Sequence, residues 1–169
     1  MVLKKGLIFA MMFYFALVSP SLSKQGEPPH ARSEIKTIIE RHNQALNAHD
    51  LKGVMTLFSS NPDIFLMGTG PGEVYVGEEG IAGAYNQIFS RFKADSLTFK
   101  SDCVTAGSKG DVAWFAVKTT ISGTVNNQQK EREFNMSGLL HKQKGKWRII
   151  NMHFSRLGAE EQPAVEPTQ

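Results

Sequence analysis

A single cysteine, Cys103, stands in the 169 residues. No intramolecular disulfide can form, so the apolar core has to hold the fold, and the one bridge open to the chain is intermolecular. Charge of one sign is scarce as well. The 19 Lys and Arg residues stand against 16 Asp and Glu, a formal net charge of +3, and they are scattered among the carboxylates. Nucleic-acid binding needs clustered cations that neutralise several phosphates together, so no nucleic acid is expected as a partner. Metal-site patterns are missing too. His42, His141 and His153 form no helical i, i+4 pair and have no cysteine partners, so no metal is expected, and no cofactor motif is found. Gly68-Thr-Gly-Pro-Gly72 lacks the Lys-Ser/Thr that would follow in a phosphate loop, which leaves it as turn chemistry.

What the chain does have begins with a secretory pattern. Lys4 and Lys5 precede an apolar stretch, Gly6 to Val18, and Ser21-Leu22-Ser23 forms a small-x-small cleavage site. The stretch is shorter than the ~20 residues that span a bilayer core, so residues 1–23 read as a signal peptide cleaved after Ser23. Secretion or periplasmic export is expected, with no stable membrane insertion after cleavage. Loss of Lys4 and Lys5 leaves 17 basic against 16 acidic groups, a net +1, so the sequence pI of about 9.0 overstates the basicity. Residues 24–32, with Pro28-Pro29, read as a linker. The polar segment 158–169 reads as a disordered tail. One domain over 33–157 is expected between them.

Within that domain the hydrophobic period is helical first. Ser33 is placed to cap a helix whose apolar face carries Ile35, Ile38, Ile39, His42, Ala45 and Leu46. Asp50 caps a short second helix ended by Asn61-Pro62. Ile64 to Met67 and Val74 to Val76 flank the glycine-rich loop as a small hairpin. A third helix follows, with Ile81, Ala84, Tyr85, Ile88, Phe89 and Phe92 on its buried side. The period then changes to two. Strands are expected over Leu97–Thr105, Asp111–Gly123, Lys130–His141 and Lys146–Arg156, joined by turns at Gly107-Ser-Lys-Gly110, Asn126-Asn127 and Lys144-Gly145. Helices followed by a meander imply an α+β fold. A strongly curved antiparallel sheet packed against three N-terminal helices would enclose a cone-shaped cavity.

Three segments sharpen this order into a resemblance. Asn47-Ala-His-Asp50-Leu51 resembles the small-x-Asp junction between the first two helices of the nuclear transport factor 2-like superfamily, and Val76-Gly77-Glu-Glu-Gly-Ile81 resembles its entry to the third helix. Gly145-Lys-Trp147-Arg-Ile-Ile-Asn-Met-His153-Phe-Ser155 is similar to the last strand of SnoaL-like proteins and of the association domain of calcium/calmodulin-dependent protein kinase II. The resemblance implies a cystatin-like cone, dimeric or larger assembly, and a pocket that is used for isomerisation, dehydration or cyclisation in some members and only for binding in others.

Strict alternation along the last strand places Trp147, Ile149, Asn151, His153 and Ser155 on one face, the expected pocket wall. Arg148, Ile150, Met152 and Phe154 then fall on the other, the expected dimer face. His42, in the middle of the first helix's apolar stripe, is a candidate base or a core histidine. His42 and His153 are the candidate catalytic pair. The expected ligand-binding set is His42, Trp114, Arg132, Trp147, Asn151, His153 and Ser155. Arg132 alternates with Glu131 and Glu133, so either the arginine or the two acids face the cavity. The strand on which the ketosteroid isomerases of this superfamily carry their base reads Asp63-Ile-Phe-Leu-Met67 here, leaving Asp63 and Glu73 as displaced candidates. The leading expectation is a homodimer that binds a small apolar or weakly acidic molecule. A cofactor-independent proton-transfer enzyme and a non-catalytic oligomerisation module are the alternatives.

Overall fold

The computed structural model describes residues 29–125 and 128–157. The expected signal (1–23), part of the expected linker, the expected turn at Asn126-Asn127 and the expected tail (158–169) lie outside the described residues. Helix α1 spans Pro29–Asn47 and the short α2 spans Leu51–Met55. Strands β1 (Phe65–Met67) and β2 (Val74–Val76) precede α3 (Gly77–Phe89). The long strands β3 (Leu97–Lys109), β4 (Val112–Val125), β5 (Gln128–Gln143) and β6 (Lys146–Leu157) complete the chain.

Helix α1 starts four residues before the expected cap. Proline is tolerated at a helix's first position, where its missing N–H would have no partner anyway. The extra turn buries Ala31 and lets the Arg32 guanidinium donate to the Ala106 carbonyl at 3.4 Å, so Ser33 lies inside the helix. The apolar stripe is as expected, with Ile35, Ile38, Ile39, His42 and Leu46 all buried. Asp50 does cap α2, its carboxylate accepting from the Gly53 N–H at 2.8 Å. No side chain caps α3, where Glu78 and Glu79 in the first turn complement the helix dipole instead.

The six strands form one sheet in the order β2-β1-β6-β5-β4-β3. It is mixed: β1 runs parallel to β6, while the β1–β2, β3–β4, β4–β5 and β5–β6 ladders are antiparallel. The chain's last strand is inserted between β5 and the earlier hairpin, and no tight turn could have joined β1 to it. The sheet curves, and the helices pack on its inner face. Along β4 that face carries Ala113, Phe115, Val117 and Thr119, all buried, and along β5 it carries Met136, Gly138 and Leu140. Gly138 is required there, because a Cβ would stand 2.6 Å from the Asn151 carbonyl and 2.8 Å from the Phe115 ring.

Strand β6 breaks the expected alternation. Leu139 pairs with Asn151 and the adjacent Leu140 with Ile149, so Ile150 is an extra residue opposite none. Such a bulge moves every later side chain to the other face. Trp147 and Ile149 point inward as expected, but beyond the bulge the inward residues are Met152, Phe154 and Arg156. Asn151, His153 and Ser155 lie on the outer face, opposite Leu139, Ser137 and Asn135. Met152 and Phe154 are therefore withdrawn from the expected dimer face, Met152 being fully buried in the core.

Candidate functional site

The curl of the sheet and the three helices leave a cavity of about 470 Å³. Its deep end is made by buried residues, Leu46 of α1, Leu66 of β1, and Ala84 and Tyr85 of α3. Half-buried Ile88, Phe92, Leu97, Ile121, Phe134 and Phe154 form the walls. Two residues keep this space open. Ala84 is small, and Gly123 has Leu97 against it, so that a Cβ there would meet the leucine side chain at 2.7 Å. The volume lies within the ~300–1,000 Å³ usual for small-molecule sites.

Behind the deep end sits a polar pair. His42 is 1% exposed, and its Nε2 lies 2.7 Å from the Tyr85 hydroxyl, whose oxygen is 3.9 Å from the Met152 sulfur. His42 Nδ1 lies 3.2 Å from Asn43 Oδ1, an acceptor, which assigns the proton to Nδ1 and makes Nε2 the acceptor of the Tyr85 O–H. Burial disfavours the imidazolium and lowers the His42 pKa to about 4, against a smaller opposing pull from the Asn43 hydrogen bond. The same desolvation drives the Tyr85 phenol far upward. Proton transfer from tyrosine to histidine is thus strongly uphill, and the pair behaves as a satisfied buried hydrogen bond. Tyr85 stands between His42 and the cavity, so the imidazole does not line it.

The mouth is charged. Arg132, Lys130 and Arg156 from β5 and β6, and Arg91 just after α3, line it with exposed side chains. None forms an ion pair among the described residues, where the two pairs found are Lys36–Glu40 and Lys118–Glu133. Glu73 is the single acid in the lining, and its carboxylate accepts from the Gly70 N–H at 2.9 Å, closing the glycine-rich loop over the rim. Asp63, the other displaced candidate, is exposed and outside the lining.

Of the seven expected ligand-binding residues, Arg132 alone lines the cavity, and the alternation left open in the sequence is resolved in its favour. Glu133 is on the outer face with Lys118 at 2.9 Å, and Glu131 accepts from Ser122 there at 3.1 Å. Trp147 is inward-facing but at the other end of the sheet. Its indole N–H donates to Glu34 at 2.9 Å, tying α1 to β6. Trp114 lies on the outer face, 40% exposed, and the bulge puts Asn151, His153 and Ser155 on that face with it. His42 and His153 therefore sit on opposite sides of the sheet and do not converge. His49, between α1 and α2, is half-buried, stacked on Phe89 at 4.8 Å and edge-on to Phe92 at 4.7 Å.

Several cavity residues escaped the sequence reading. Phe154 and Arg156 were hidden by the bulge. Tyr85 falls on the buried face of the third helix, and its pairing with His42 does have a signal, a histidine and a tyrosine on two facing apolar stripes. Arg91 carries no signal, since it lies in the irregular turn after α3.

Solved structures share this architecture. A nuclear transport factor 2-like protein of unknown function from Pseudomonas putida is 20% identical with a TM-score of 0.67, over 80% of this chain and 93% of that one. A ketosteroid isomerase-like protein from Erwinia carotovora is 19% identical with a TM-score of 0.60, over 75% and 96%. A Xanthomonas campestris protein proposed as a calcium/calmodulin-dependent protein kinase II association domain is 23% identical with a TM-score of 0.61, over 75% and 88%. At these identities the likeness establishes the fold. No functionally curated protein matches the chain in sequence. The sequence profile of the SnoaL-like domain matches residues 35–159, most of the chain and all of its sheet, and the chain belongs to that family.

Proposed function

We propose that this chain is an exported, homodimeric binding domain that holds a small apolar or weakly acidic molecule in the cone without turning it over. A SnoaL-like fold is compatible with a ligand-binding or an isomerase-like domain, and the residues favour the first. The observation that carries the reading is an apolar cavity of about 470 Å³ whose lining contains no histidine and one carboxylate, already bonded to the loop beside it. General acid–base catalysis needs a group within hydrogen-bond reach of the substrate and a pKa near the working pH. His42 satisfies neither condition, being screened by Tyr85 and held near pKa 4.

Export is supported by the basic, apolar and small-x-small order of residues 1–23. Dimerisation is supported by the outer face of the sheet. The pairing places Val76, Phe65, Asn151, Leu139 and Trp114 in one row across five strands, with Val74 and Met67 in the next. Val76, Val74, Leu139, Trp114 and Met67 are 38–60% exposed. Five large apolar side chains exposed on one sheet face, with Asn151 between them, are uncommon on a monomer, and a second copy related by a two-fold axis covers them with its own.

Native mass spectrometry of the protein from Lys24 onward tests the reading. A dimer that releases a reproducible small molecule on denaturation, and loses it in Ile121→Trp, is the expected result. An empty protein that also takes up no apolar probe, or a ring indifferent to Ile121→Trp, would favour the oligomerisation module and end the binding assignment.

A further inference from the structure

The cations at the cavity mouth are the feature that pocket binding alone leaves unexplained. On the inner face of β5, Lys130 and Arg132 are two residues apart, and Phe134, the next inward residue, is opposite Arg156 of β6. Three positive side chains thus adjoin on one face of the sheet, and Arg91 faces them from the helix side. Like charges placed together across strands repel. On the outer face β4 and β5 place opposite charges side by side, Lys118 with Glu133. The inner cluster has no carboxylate partner among the described residues, and the apolar walls begin immediately behind it, at Ile121, Phe134 and Phe154.

We infer that the ligand is an amphipathic anion, its apolar body in the cone and one carboxylate-type head at the mouth, where Arg132 and Arg156 receive it with support from Lys130 and Arg91. This rests on the binding reading above and adds the ligand's charge and its direction of entry. Arginine presents a planar fork that bonds a carboxylate through two parallel N–H groups. A neutral apolar molecule would leave the four cations unanswered. A cationic one would be repelled, since Glu73 is the lone acid and is engaged with Gly70. An anion with no apolar body would leave the cone unfilled.

Decanoate, decanol and decylamine share one apolar chain and differ in head charge, so isothermal titration of each into the protein from Lys24 onward separates the two parts of the claim. Decanoate is expected to bind roughly tenfold more tightly than decanol, as a solvent-open pair of charge contacts would give, with decylamine weakest. That preference should fall as ionic strength rises from about 0.05 to about 1 M, where the screening length shortens from about 14 Å to about 3 Å. Arg132→Glu combined with Arg156→Glu should abolish the preference for decanoate, favour decylamine, and leave decanol within about twofold. Both side chains are exposed, so the substitutions spare the core. Equal affinity for decanoate and decanol, or a decanoate preference unchanged by salt, would overturn the inference while leaving apolar binding intact. The salt series needs no variant and decides the matter if the double substitution does not fold. Failure of all three probes to bind would remove the binding reading itself, and this inference with it.

Discussion

Acidification should destabilise the domain through one residue. In the folded state His42 titrates near pKa 4, against about 6.5 when unfolded, because protonation would bury an uncompensated charge and break the bond from the Tyr85 hydroxyl. Between those values the unfolded chain binds more protons than the native one, so stability rises with pH across the window. The contribution is fully present above about pH 6.5 and is lost as pH falls towards 4. Between about pH 7 and about pH 4.5 the loss amounts to roughly 2 kcal/mol. No charged side chain bonds to the imidazole; its partners are Asn43 and Tyr85, and Phe154 packs 6.2 Å away. His42→Leu should therefore be less stable than the native protein at neutral pH and should have a flatter stability profile. Urea unfolding of both proteins across this range measures it, a shift of about 2 kcal/mol corresponding to roughly 1 M in midpoint. Acidic groups elsewhere titrate in both proteins and cancel in the comparison. Parallel pH profiles for the two would refute the assignment of a neutral, buried His42.

Other consequences follow from single contacts. Tyr85→Phe removes the donor to His42 Nε2 and leaves that buried nitrogen without a partner, so a loss of about 1–3 kcal/mol is expected in chemical denaturation. Gly138→Ala forces a Cβ against the Asn151 carbonyl and the Phe115 ring and should cost about 1–3 kcal/mol, read as a lowered melting temperature. Trp114→Glu with Leu139→Glu places two neighbouring carboxylates on the exposed outer face of β4 and β5, and sedimentation analysis should show monomers with the cavity's ligand affinity retained.

Much of the fold was legible because its elements obey simple periods. The stripe from Ile35 to Leu46, the Asp50 cap and the β4 and β5 alternations each follow from one rule. The start of α1 did not, because a proline reads equally as a helix's first residue and as part of an extended linker. The inward position of Arg132 was also available in principle. Phe134, Met136 and Leu140 share its parity on β5, and an apolar face of that length has to be the buried one.

The site was lost at Ile150, and the sequence carries a trace of why. Apolar residues occupy 147 and 149 and then 152 and 154, a change from odd to even with an apolar doublet, Ile149-Ile150, at the join. Unbroken alternation across that join would bury Asn151, His153 and Ser155 and expose Met152 and Phe154. With one bulge the apolar residues stay inside throughout, which is the cheaper arrangement, since an unpaired buried polar group costs more than one disrupted ladder position. The same displacement decides the chemistry of the wall. It removes a histidine, an amide and a hydroxyl from the cone and supplies Phe154 and Arg156 in their place. A wall of the first kind would suit proton transfer. The wall that forms is apolar with a cation at its rim, and it is on this exchange of faces that the choice between catalysis and binding turns.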